Sequence, residues 1–133
     1  MELVGRVRAG AGLGAPRMSD PHVMELISRS VGFRPVPGTL NVVLEQPFDR
    51  TLATSFVSAK DLSPTWEEDV GQAGYWLTPV VVAGQHQAVA VQADEPGYPP
   101  EQIEVVCAVR LRGVLGLDDG DSLTITVAER AEE

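Results

Sequence analysis

From Thr39 to the end of the chain, the apolar residues come in short runs bounded by glycine, proline or acidic clusters. The runs are rich in Val and Thr, whose branched side chains suit a pleated surface better than a helix. The pattern predicts strands at Thr39 to Leu44, Thr54 to Ala59, Tyr75 to Ala83, Gln87 to Ala93, Ile103 to Val109 and Ser122 to Ala128. In the last of these, Leu123, Ile125 and Val127 alternate with Thr124 and Thr126, the period of a strand with one buried face. Glu2 to Ala9 reads the same way, with Leu3, Gly5 and Val7 on one face and Val4 and Arg6 on the other. Many short strands with turn residues between them favour a small closed barrel.

One helix is expected, near the N-terminus. Asp20 is a suitable N-cap, Pro21 fits the first helical position, and Val23, Leu26, Ile27 and Val31 make one apolar face. Glu25 and Arg29 should pair at i,i+4, and Gly32 should end the helix. Leu111 to Leu117 has room for one more helical turn, and Asp118 to Asp121 reads as a tight turn into the last strand. At 133 residues the chain is expected to form a single domain, 1–133.

Composition narrows the function. The net charge of −9 argues against nucleic acid as a partner, since phosphates call for a basic face. No apolar run approaches the roughly 18–20 residues of a membrane helix. The N-terminus lacks a basic region followed by an apolar stretch, so no secretory leader is expected and a cytoplasmic location is. The single cysteine, Cys107, excludes a disulfide framework and reads as a small core residue. Arg6, Arg8 and Arg17 cluster near one end of the chain, Arg110 and Arg112 near the other. If the two groups meet in space, this acidic protein could still hold a small anion.

Three places stand out as candidate sites. Gly10, Ala11, Gly12, Leu13, Gly14 and Ala15 form a glycine loop. It is not a dinucleotide fingerprint, because Pro16 interrupts and the helix starts later. Nor does a Gly-Lys-Ser/Thr follow. Spacing alone fits a structural turn better than a phosphate cradle, although glycines do let backbone N–H groups converge on an anion. Thr39 and Asn41 are two apart on a strand and share a face. Their oxygens could help hold Mg²⁺ beside nucleotide phosphates, or simply satisfy turn backbone. Glu104 is a carboxylate within an apolar run and needs a partner, either a ligand hydroxyl or amide or an arginine.

Taken together, these segments resemble the archaeal CTP-dependent riboflavin kinases. That family opens with G-x-V-x-x-G-x-G-x-G, here Gly5 to Gly14. Its next hallmark, G-F-x-P-x-x-G-T-L-N, is matched by Gly32 to Asn41. Its E-I-I-A-P-x-x-L-R and L-x-L-x-D-G-D segments correspond to Glu104–Arg112 and Leu115–Asp121. The resemblance implies a mainly β, six-stranded cradle-loop barrel. It implies phosphoryl transfer from CTP to the ribityl hydroxyl of riboflavin, giving FMN and CDP. By position, Gly10 to Ala15 would wrap the nucleotide, and Val109, Arg110, Leu111 and Arg112 would complete that site, largely through backbone. Thr39 and Asn41 would hold Mg²⁺, and Glu104 would contact the flavin. No catalytic base is assigned.

Two positions depart from the family. Pro96 stands where a flavin-contacting Thr is usual, and Leu13 where the glycine loop commonly has an acidic residue. The nucleotide half is thus better preserved than the acceptor half. The alternatives are the same CTP chemistry on another small alcohol, or a nucleotide- or flavin-binding module without catalysis.

Overall fold

The computed structural model describes residues 1–8, 25, 28, 29, 32–36, 40–58, 74–94 and 97–127. Its strands are β1 (Glu2–Val7), β2 (Leu40–Leu44), β3 (Ser55–Ser58), β4 (Gly74–Val82), β5 (His86–Asp94), β6 (Gln102–Cys107) and β7 (Ser122–Val127). A short helix, α1 (Leu111–Val114), lies between β6 and β7. All strand pairs are antiparallel, in the order β3-β4-β5-β6-β2-β1-β7. β4 also pairs with β7, which closes six of the strands into a barrel and leaves β3 as an extension of β4.

One residue of β4 explains how its edge serves two partners. β3 pairs with Gly74 to Leu77, and β7 with Val80 to Val82. Pro79, which has no N–H to give to a ladder, falls in the gap between them. On its other side β4 forms an uninterrupted hairpin with β5. Ala83 and Gly84 take positive φ in the connecting turn, at the site expected from Gly84-Gln85-His86.

Strand alternation sends one set of side chains into the barrel. Leu3, Val7, Leu40, Val42, Leu44, Val80, Val82, Ala88, Ala90, Ile103, Val105, Leu123, Ile125 and Val127 form the main core. Gly5 belongs to the same inward face. A Cβ there would lie 2.5 Å from Val42 Cγ1 and 3.0 Å from Val43 O, so the motif glycine is required by packing. A second apolar cluster lies on the outer face, built from Val57, Tyr75, Leu77, Val89, Val91, Ala93, Tyr98 and Val106 with Phe33 against it. β4, β5 and β6 are therefore buried on both faces, which is why they read as nearly continuous apolar runs.

The expected helix near the N-terminus falls mostly outside the described residues. Glu25, Ser28 and Arg29 are helical, Arg29 pairs with Glu25 at 3.1 Å, and the Gly32 N–H donates to Ser28 O. Gly32 has φ +82°, the left-handed conformation of a helix stop. The helix whose residues are all described is α1, far along the chain from there.

Candidate functional site

The motifs singled out in the sequence come from distant parts of the chain, and backbone hydrogen bonds bring several of their described residues together. The Arg8 N–H donates to Asn41 O at 3.0 Å, which joins the exit of β1 to the entry of β2. The Val36 N–H donates to Cys107 O at 2.9 Å and brings the segment before β2 to the exit of β6. Val7 exchanges backbone hydrogen bonds with the turn below it, through Asp121 O and the Gly120 N–H. The glycine loop Gly10 to Ala15 starts two residues beyond Arg8. That loop, Thr39 and Pro96 lie outside the described residues.

Asn41 and Glu104 are direct cross-strand neighbours in the β2–β6 ladder. Such partners project from the same face, with Cβ atoms about 4.5–5.5 Å apart. The flanking residues Leu40, Val42, Ile103 and Val105 point into the core, so this pair points outward. Neither is open to solvent: Asn41 is 8% exposed and Glu104 only 1%. One partner of Glu104 is the Tyr98 hydroxyl, which donates to Oε2 at a long 3.4 Å. The sequence suggested a ligand or an arginine beside Glu104 and gave no sign of Tyr98.

The loop carrying Tyr98 is itself held from beneath. Gln92, buried in β5, donates through Nε2 to Pro100 O and Gln102 O at 3.2 and 3.0 Å. Its Oε1 accepts from Arg50 Nε, and Arg50 Nη2 also donates to Ala93 O. A buried amide with its donors and acceptor used is a rigid clamp. The signal in the sequence was the same one that marked Glu104, a polar residue within an apolar run.

Val109 to Arg112 follow β6. Leu111 is buried in the main core, whereas Val109, Arg110 and Arg112 are exposed. Leu111 can thus offer only backbone to a ligand. Arg112 pairs with Asp119 at 2.9 Å and reaches Leu117 O, while Arg6 donates to Gly120 O at 3.0 Å. Arginines from both ends of the chain do meet, on the turn 117–121. An outer-face groove of about 340 Å³ runs over β4 and β5, with Leu77, Pro79, Val81, Val89 and Phe33 in its lining.

The chain is similar to known proteins over most of its length. The family model described as "CTP-dep_RFKase: Domain of unknown function DUF120" matches residues 7–127. The riboflavin kinase of Methanocella arvoryzae is 34% identical over 125 residues, covering 92% of this chain and 55% of its own length. That of Methanoculleus marisnigri is 32% identical, covering 94% of this chain and 56% of its own. That of Ignicoccus hospitalis is 30% identical, covering 96% and 71%. The chain spans little more than half the length of the first two of these relatives.

Proposed function

The chain belongs to the CTP-dependent riboflavin kinase family, and from that footing we propose that it transfers a phosphoryl group from CTP to the ribityl hydroxyl of riboflavin. The products are FMN and CDP. The observation that carries the reading is the meeting of the β1 exit, the β2 entry and the β6 exit, with Asn41 and Glu104 side by side. In this reaction the acceptor oxygen bonds to the γ-phosphorus as the bond to the β–γ bridging oxygen breaks. The electron pair stays on CDP, and the hydroxyl proton passes to water. Such a transfer needs positioning and charge neutralisation more than covalent help from the protein.

The roles follow from position. Gly10 to Ala15 wrap the nucleotide, and Val109 to Arg112 complete its site, Leu111 through backbone alone. Thr39 and Asn41 hold Mg²⁺. The Thr39 hydroxyl and the Asn41 amide oxygen are hard oxygen donors, the chemistry this ion prefers. Among the described residues no three His, Cys, Asp or Glu side chains form a metal cluster. Such an ion is commonly held by few protein groups together with substrate phosphates. When bound, it supplies positive charge beside the transferring group. Glu104 accepts a hydrogen bond from the acceptor, held in place by Tyr98, and the loop containing Pro96 forms the rim.

Among the described residues no helix is long and apolar enough to cross a membrane. The net charge of −9 supports small-molecule partners rather than nucleic acid, and a cytoplasmic location is part of the same proposal. Pro96 in place of the usual Thr favours one second reading, the same chemistry on another small alcohol. The test crosses four nucleoside triphosphates with a panel of alcohols that includes riboflavin, in Mg²⁺, and follows FMN by chromatography. CTP with riboflavin should turn over best, and riboflavin fluorescence should be quenched on adding protein and CDP. Equal turnover with ATP overturns the donor. Absence of quenching at high protein concentration overturns the flavin and leaves another alcohol as acceptor.

A further inference from the structure

We propose that Arg8 is a catalytic residue of this reaction, contacting the phosphates of the nucleoside triphosphate and neutralising their charge. The proposal rests on the phosphoryl-transfer reading above. Its basis is the strand register. Val7 pairs with Val42 across β1 and β2, and the bond from the Arg8 N–H to Asn41 O carries that register one residue further. Asn41 in turn pairs with Glu104. Arg8, Asn41 and Glu104 are therefore one row across three adjacent strands. Val7 and Val42 point into the core, so the next pair in the ladder points outward.

With neighbouring strands about 4.8 Å apart, the row spans roughly 10 Å, the scale of a phosphoryl group with a donor on one side and an acceptor on the other. The order of the row is chemically sensible. A cation stands at the exit toward the glycine loop, an amide oxygen in the middle, and a buried carboxylate beside the acceptor loop.

Arg6 is spent on Gly120 O and Arg112 on Asp119 and Leu117 O. Arg8 is exposed and forms no ion pair among the described residues. Arg110 is also exposed and without an ion pair among the described residues, but it follows β6 and lies outside the row, whereas Arg8 lies in it. In a chain of net charge −9, a polyanionic substrate is repelled at long range, so a guanidinium with no ion pair among the described residues offsets that repulsion locally. Its planar fork also suits two phosphate oxygens at once, which a lysine cannot match.

The experiment compares the wild type with Arg8→Ala and Arg8→Lys, the latter guarding against loss of fold. Turnover with CTP and riboflavin is measured alongside calorimetric titration with CDP and CMP. Arg8→Ala should lose about 10²-fold in kcat/KM for CTP, the scale of removing one electrostatic stabiliser. The KM for riboflavin should stay unchanged. CDP binding should weaken about tenfold while CMP binding changes little, and Arg8→Lys should recover part of both losses. Wild-type turnover and CDP affinity in Arg8→Ala overturn the proposal and leave the kinase reading standing. If the wild type turns over no triphosphate, the kinase reading falls, and the titration alone decides. A selective loss of CDP affinity upholds Arg8 as a phosphate contact, whereas equal affinity, or no binding to the wild type, overturns it.

Discussion

β2 and β6 carry different chemistry on their two faces. Inward, Leu40, Val42 and Leu44 meet Ile103, Val105 and Cys107 in a wholly apolar layer. Outward, Asn41 stands against Glu104, with Tyr98 on the carboxylate. Both faces are buried, so burial does not tell them apart. What differs is the consequence of a change. An apolar inner residue contributes through the volume it fills, and its loss leaves a cavity. A polar outer residue needs a partner to offset its desolvation, and a substrate can be that partner. Period-2 alternation lets one strand hold the barrel closed and present polar groups at the same time.

The contrast can be broken by substitution on either face. The largest effect on stability should come from the inner side. Ile103→Ala, at a fully buried position, should cost about 2–5 kcal/mol in denaturant unfolding. Whatever folded fraction remains should turn over normally. On the outer side, Glu104→Gln keeps the shape and removes the charge. The KM for riboflavin should rise about tenfold, the scale of one hydrogen bond to a charged group, while the KM for CTP holds. A rise in the CTP constant instead would move Glu104 to the nucleotide half.

The smallest effect lies away from both faces. Asp49 caps the 3-10 turn Arg50–Leu52, and its Oδ1 accepts from the Thr51 hydroxyl at 2.6 Å and the Thr51 N–H at 2.9 Å. The hydroxyl bond first, and the backbone bond second, hold its carboxyl below the ordinary aspartate range. A lowered folded pKa means a contribution present above 3.8 and lost as the pH falls through the folded value. Asp49→Asn should remove that acid-limb dependence from a pH series of melting temperatures and leave turnover at neutral pH unchanged.

The alternating elements were legible in the sequence because a strand with one apolar face repeats every two residues. β1 and β7 show the expected alternation of burial. The Glu25–Arg29 pair and the Gly32 stop were equally local and equally readable. Asn41 and Glu104 were also legible as individual misfits, the latter a charge in an apolar run. Their adjacency was not. It depends on the register of two strands far apart in the chain, which is set when the barrel closes. Gln92 was missed although it breaks its run as Glu104 does. Its role appears only when the 97–102 loop folds back onto it.

The central claim is that the outer row acts on substrate while the inner face maintains the fold. Asn41→Ala tests it most directly, with turnover of CTP and riboflavin measured beside circular dichroism of the same sample. The account predicts a native spectrum with phosphoryl transfer reduced by about 10²-fold or more. A folded Asn41→Ala protein with unchanged turnover would contradict it and reduce the pair to a feature of the barrel.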